Sequence, residues 1–301
     1  MKKIKITVGE LIDFLAHEVL SVLGDAKGLY IDNLADVAHV SETTLDWVKP
    51  QNPDRQQMVE NSKANVVLVD EGVLPVVGKV LIVVKNPKRA LAKVGNAFFV
   101  ERPQPGIHPT AIIDTEAEIG ENVFIGPYTV IGKAKIGDGC MIDSNVRIYD
   151  DVVMGKGCVI KAGAVLGGAG FGYERDENGN KFRFPQIGQL IMGDYVEVGS
   201  NTCIDRGALA DTVIGDYTKI NNLCHIAHNN KIGKNVTITG CVNVSGSNFI
   251  DDNVWIAPNS SIRGWVHIEE GATIGMGAVV VRNVPAHETW VGNPAKKLEK
   301  K

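Results

Sequence analysis

An aliphatic residue returns every six positions through most of this chain, and that period constrains the fold more than any other feature. The longest unbroken run holds Ile214, Ile220, Ile226, Ile232, Ile238, Val244, Ile250, Ile256, Ile262, Ile268, Ile274 and Val280, twelve hits at one spacing. Earlier hits fall at 107, 113, 119, 125 and 131, then after a five-residue step at 136, 142, 148, 154, 160 and 166, and again at 192, 198 and 204. Neither an amphipathic helix nor an alternating strand holds a register of six. The spacing predicts a parallel β-helix, in which each unit of six supplies one short strand and one corner. Three units close a triangular coil of eighteen residues. The aliphatic side chain points into the prism, and a small residue four positions later (Ala, Val, Thr, Cys or Ser) lines the same interior. Gly, Asp or Asn often follows the aliphatic residue, where the backbone has to turn. Stacked coils bury a continuous column that no single coil could bury alone. The twenty-six positions make nearly nine coils.

This period explains two oddities of composition. The chain has 33 glycines in 301 residues and only 6% aromatics; corners absorb glycine, and a narrow prism has little room for rings. The remaining numbers exclude whole classes. A hydrophobic fraction of 44% rules out an acidic disordered chain. A net charge of −4 leaves no basic excess for binding nucleic acid. Five cysteines, an odd number without a CxxC pair, fit a reduced compartment better than a disulfide framework. The lysines of the Met1 to Lys5 start are followed by no apolar run long enough for a leader, and no stretch is long enough to span a membrane. These observations predict a cytoplasmic protein with no integral membrane segment.

Residues 1–104 follow another grammar and read as a small α/β domain. Thr7 and Glu10 have capping-box spacing and open a helical pattern through Leu11, Leu15 and Val19. Residues 65–70 and 80–85 are short β-branched runs, expected as buried strands, and Pro87 can start a further helix. The segment Arg102 to Gly106 is a Pro/Gly hinge. The β-helix is expected over 105–284 and a short tail over 285–301. Two interruptions break the period, at 167–191 and at 205–213. Interruptions in a solenoid cluster on one face and often carry function.

Among seven histidines, His17, His39 and His287 have no polar neighbours at suggestive spacing, and His108, at the first corner, reads as structural. His225 and His228 flank the inward Ile226, among Asn221, Asn222, Asn229 and Asn230, and suggest a polar site on the outer surface of one coil. A zinc site completed by His267 is a weaker reading, because the spacing suits it poorly. Gly246 follows His228 by eighteen residues, one full coil. A histidine base beside a free backbone N–H is the minimum apparatus for acyl transfer: the base takes a proton from the attacking group and the N–H holds the oxyanion.

The repeat resembles the hexapeptide-repeat acyltransferases, whose prism is a left-handed parallel β-helix. Four segments make the resemblance narrower: Gly167 to Tyr173 (GGAGFGY), Phe184 to Gly188 (FPQIG), Ile204 to Leu209 (IDRGAL) and Ile226 to Asn229 (IAHN). Together they are similar to the UDP-3-O-acylglucosamine N-acyltransferases of lipid A biosynthesis. The resemblance implies a homotrimer acting on a nucleotide-linked amino sugar, with His228 as general base and the Gly246 amide as oxyanion donor. It implies that Asn222 belongs to the site, that Trp47 stacks on the nucleotide ring beside Asn52, and that Phe171 and Tyr173 border the acyl-chain groove. No tightly bound cofactor is implied; acyl-acyl carrier protein or acyl-CoA is the co-substrate.

Some residues depart from that pattern. His225 stands where the family often has Gln, Asn221 where it often has Asp, Trp265 where it often has His, and Arg55 where it usually has Tyr. The family's C-terminal helical extension finds no counterpart after Val280, and Trp290 to Lys296 (WVGNPAK) resembles CoA-dependent sugar acetyltransferases instead. Lys296, Lys297, Lys300 and Lys301 offer positive charge to an acidic carrier protein or to CoA phosphates. Three readings stay open at this point: the lipid A enzyme, a CoA-dependent N-acyltransferase for a dTDP- or UDP-linked dideoxyamino sugar, and a non-catalytic trimeric scaffold that binds sugar nucleotides.

Overall fold

Two apolar runs form the middle of the N-terminal unit. Strands Val66–Val69 and Val80–Val84 pair in parallel; Leu45–Trp47 adds parallel to the first and Val19–Leu23 antiparallel to the second. Val66, Leu68, Val80, Ile82 and Val84 pack on Leu11, Leu15, Ala90 and Val94, from the helices Val8–Leu15 and Pro87–Val94. The alternate residues Val67, Val69, Leu81 and Val83 pack on Val59 of the helix Arg55–Asn61. Burial on both faces is why these strands read as unbroken apolar runs. The capping box forms as its spacing predicts: the Glu10 N–H donates to Thr7 Oγ1 (3.2 Å) and the Thr7 N–H to Glu10 Oε2 (2.8 Å). The helical pattern ends sooner than the sequence suggests. Ala16 takes φ 43°, which stops the helix at Leu15, and Val19 opens a strand instead.

The computed structural model describes residues 5–299 and divides into two compact units, Met1–Pro103 and Gln104–Lys301. The lysines at 2 and 3, and Lys300 and Lys301, lie outside the described residues.

The second unit is a parallel β-helix with three faces. The first face stacks Ile107, Ile125, Ile142, Ile160, Val198, Ile220, Ile238, Ile256 and Ile274 in register. The second stacks Ile113, Ile131, Ile148, Leu166, Ile204, Ile226, Val244, Ile262 and Val280. The third runs from Ile119 to Ile268. From Ile125 onward these residues form one buried column, each contributing roughly 1.5–3 kcal/mol of burial; at its first coil Ile113 and Ile119 are only partly buried and Ile107 is 54% exposed. The five-residue step from Ile131 to Ile136 is absorbed by a tighter corner, where the Ala134 N–H reaches Gly132 O at 2.8 Å.

Corners divide their work between two positions that the sequence had suggested were one. The residue just after the aliphatic one lies against the next coil: a Cβ on Gly126 would meet Ser144 N at 2.8 Å, and one on Gly137 would meet Lys156 N at 2.7 Å. The left-handed turn falls two residues further on. Asn122, Asn145, Asn235 and Asn253 hold it, and so do Tyr195, Tyr217, Leu223 and Trp265, all with φ between 53° and 63°.

Both interruptions leave the column and return in register, since Val152–Met154 pairs with Leu190–Met192 across the first and Leu190–Met192 with Thr212–Ile214 across the second. The first contains a hairpin, Tyr173–Arg175 with Lys181–Arg183. Residues after 284 do more than trail: Thr289–Val291 joins the first face beside Thr273–Ile274, and Trp290 is only 8% exposed. Trp290 thereby covers the end of the column. All five cysteines are free thiols. Among the described residues no helix is long and apolar enough to cross a membrane.

Candidate active site

His228 stands at the corner after the second face, two positions beyond the inward Ile226. Its imidazole lies in a slot between two glycines. A Cβ on Gly246, one coil further on, would lie 2.9–3.2 Å from Cε1, Nε2 and Nδ1 of the ring, and one on Gly170 would lie 2.8 Å from Cδ2. Any side chain at either place would have to displace the ring.

Asn229 fixes the tautomer. Its Nδ2 donates to Ala210 O (2.8 Å) and its Oδ1 accepts the Ala208 N–H (3.1 Å), so two partners of opposite sense orient the amide. Oδ1 then faces His228 Nδ1 at 2.8 Å. An acceptor oxygen there requires the proton to be on Nδ1, which leaves the Nε2 lone pair open.

The same edge leaves a backbone donor open. At several corners the N–H two positions after the aliphatic residue is closed by a side chain one coil on. Glu121 N–H donates to Asp138 Oδ1 (2.8 Å), Lys133 N–H to Asp150 Oδ1 (3.0 Å), Lys156 N–H to Asp194 Oδ1 (2.9 Å) and Lys234 N–H to Asp252 Oδ1 (2.7 Å). Along the edge of the site these places are His228, Gly246 and Gly264. Glycine has no side chain to return. Among the described residues the N–H groups of His228 and Gly246 meet no acceptor.

The interruptions supply the walls. Arg206 of the second donates from Nε to Gly188 O (2.7 Å) and pairs with Asp151 (2.8 Å), while the Ile187 N–H reaches Ala208 O (2.8 Å). Through Ala208 and Ala210 the bundle is tied to Asn229. Gln186 Oε1 is buried without a hydrogen-bond partner beside Gly170, 2.8 Å from where a Cβ would stand. Phe171 and Tyr173 meet edge to face at 5.0 Å at the rim, with Phe171 80% exposed.

These features invite comparison with known proteins. Residues 133–168 and 249–282 match the bacterial transferase hexapeptide (six repeats) family. A UDP-3-O-acylglucosamine N-acyltransferase of Coxiella burnetii is 36% identical over 280 residues, covering 85% of this chain and 80% of the relative. UDP-3-O-acylglucosamine N-acyltransferase 1 of Francisella tularensis subsp. holarctica is 40% identical over 307 aligned positions, covering 93% and 88%. The chain belongs to the UDP-3-O-acylglucosamine N-acyltransferase family. Among solved structures, UDP-N-acetylglucosamine O-acyltransferase of Moraxella catarrhalis RH4 superposes with a TM-score of 0.59 at 28% identity, covering 64% of this chain and 73% of that one.

The other positions to which the family resemblance points are distributed over the molecule. His225 faces outward on the second face, where Nε2 meets Asp205 Oδ2 at 3.2 Å. That carboxylate raises the imidazole above its ordinary range, against the opposing effect of burial. Asn222 lies one edge of the prism away from His228. Its Oδ1 closes the Ser200 N–H at 2.7 Å, and with Asn221 it lines a cleft of about 360 Å³. His267 pairs with Asp251 on the third face at 2.9 Å. In the N-terminal unit, half-buried Trp47 lines a cleft of about 360 Å³ with Val40, Asp46, Gln57 and Met58. Asn52 stands outside that lining; its Oδ1 accepts the Asp54 N–H at 2.9 Å and its Nδ2 approaches Met58 Sδ at 3.5 Å. Arg55 turns toward Asp70, with Nε 3.6 Å from Oδ1. Lys297 is engaged by Glu288 at 2.6 Å.

Sequence reasoning found His228 and Gly246 but gave no role to Gly170, Gln186, Asp205, Asn229 or Gly264. Gly264 was within reach, because it extends the offset of eighteen by one more coil. Gly170 and Gln186 lie in the first interruption, where no period places them.

Proposed function

We propose that this protein is an N-acyltransferase acting in the cytoplasm on UDP-3-O-acylglucosamine, with a thioester as acyl donor. The observation that carries the reading is the His228 corner: a ring whose Nδ1 is held by Asn229, set against the unclosed N–H of Gly246. The family relationship supplies the acceptor and the lipid A pathway. The sugar amine attacks the thioester carbonyl and a C–N bond forms. His228 Nε2 takes the amine proton while the Gly246 N–H holds the developing oxyanion. Collapse breaks the C–S bond, the proton passes to the departing thiolate, and an amide and a thiol are released. Aminolysis of a thioester balances without a redox group.

Two observations support accessory roles. The Trp47 cleft offers a ring face to a nucleobase, and Phe171 and Tyr173 offer apolar surface to an acyl chain. Asn222 and His228 sit on different edges of one prism, so a site that uses both takes them from neighbouring copies, as a homotrimer provides. The test is acyl transfer by purified protein to UDP-3-O-acylglucosamine, with acyl-acyl carrier protein and acyl-CoA offered separately. Turnover with either donor that vanishes in His228→Ala, while the assembly keeps its size, is the expected result. Unchanged turnover in that variant rejects the mechanism.

A further inference from the structure

Two asparagines lie inside the prism behind the site. Asn230 and Asn248 stand four positions after Ile226 and Val244, where other coils place Ala, Val, Thr, Cys or Ser, and both are fully buried. A buried amide without partners is costly, yet these two are satisfied. Asn230 donates from Nδ2 to Ala227 O (2.6 Å) and Ser245 O (3.1 Å), and its Oδ1 accepts the Asn248 N–H (3.0 Å). Asn248 donates from Nδ2 to Ser245 O (2.6 Å), and its Oδ1 accepts the Val266 N–H (2.8 Å).

The Ser245 carbonyl therefore receives two amide donors from the interior and points inward. In a trans peptide the carbonyl and the following N–H point opposite ways. The N–H that follows Ser245 is that of Gly246, so tying the carbonyl inward turns this N–H outward, toward the slot that holds the His228 ring. Hydrogen bonds to a carbonyl also polarise its own peptide and make the N–H a stronger donor. We propose that Asn230 and Asn248 are positioning residues for acyl transfer, which aim and polarise the Gly246 N–H from inside the prism. This inference rests on the reading of Gly246 as oxyanion donor.

Other corners show what weaker substitutes do. Thr129 and Thr202 each donate one hydroxyl bond, at 2.6 Å, to the equivalent carbonyl of the next coil (Asp143 O and Asn221 O). Ser260 reaches its own corner at Ala257 O (2.7 Å) and the next at Gly275 O (3.0 Å). Val236, Val242 and Val254 fill the same place, fully buried, and donate nothing. The interior thus accepts either kind of residue, which makes near-isosteric pairs a clean test.

The experiment measures kcat and KM for transfer to UDP-3-O-acylglucosamine, with the donor that supports turnover, in Asn230→Val, Asn230→Thr, Asn248→Val and Asn248→Ser. Melting temperatures are recorded alongside, with His228→Ala as reference. Each Val variant should lose about 10–100-fold in kcat with KM within about twofold. The hydroxyl variants, which restore one donor to Ser245 O, should recover to within about threefold of wild type. Equal kcat in the Val and hydroxyl variants, or a loss that appears in KM or follows the melting temperature, overturns the proposal. An inactive His228→Ala beside fully active Val variants rejects this inference alone. An active His228→Ala rejects the acyl-transfer reading beneath it and this inference with it.

Discussion

Lys133 and Gly246 occupy the same place on the same edge of the prism, and their backbone N–H groups meet different ends. That of Lys133 is closed by Asp150 Oδ1 at 3.0 Å. That of Gly246 looks toward Gly264, which has no side chain, and stays open. One missing carboxylate separates a corner that stabilises the stack from a corner that can stabilise charge on a substrate. Each closed N–H contributes about 1 kcal/mol, and the stack repeats the bond often enough to spare it where chemistry needs the donor.

The comparison breaks most visibly if the missing cap is restored. Gly264→Asp should close the Gly246 N–H and lower kcat about 10²–10³-fold in a folded protein. A Cβ at 264 would also crowd Gly246 O, at 2.8 Å, so Gly264→Ala measures crowding alone. Equal kcat in the Asp and Ala variants would show that capping is not what matters. Asn229→Ala comes next. It frees the Nδ1 side of His228 to choose its tautomer and should cost about tenfold in kcat, read from a pH–rate profile whose limbs move relative to wild type. An unaltered profile would remove Asn229 from the mechanism.

On the structural side of the comparison, Asp252→Ala opens the Lys234 N–H. It should cost about 1 kcal/mol in denaturant unfolding and leave kcat unchanged; an activity loss here would mean that closed corners also serve the reaction. The smallest effect belongs to the His225–Asp205 pair. Asp205 raises the His225 value above the ordinary 6.5. The pair's contribution is therefore fully present below about pH 6.5 and is lost as pH rises through the raised folded value. Asp205→Asn should lower Tm more at about pH 5.5 than at about pH 8.5, and the reverse order would contradict the pairing.

The column was legible because Ile226, Ile232 and their companions all answer to one demand, a side chain that fills the same interior place. His228 and Gly246 were legible as a pair because eighteen residues return the chain to the same edge. Asn230 reads as polar surface beside Asn229, although the offset of four from Ile226 places it inside; a large amide is not the small residue that place usually holds. One position along a corner turns Asn229 outward to His228 and Asn230 inward to the carbonyls. Gly170 was illegible for a different reason: its interruption obeys no period, and only packing against the ring gives it meaning. Val19 fits a helical stripe and a strand equally well, and Ala16 at φ 43° decides between them.

The coil length has a consequence for how such a chain can change. Removing or adding eighteen residues beyond the site sets every later residue back on its own edge, one storey lower or higher. Removing six sends every later residue round to a neighbouring edge. Between His228 and Gly246 even a whole storey is forbidden, because the ring and the amide must be adjacent floors of one staircase. Natural variation in chains of this kind is therefore expected in steps of whole storeys away from that landing, and not at all across it.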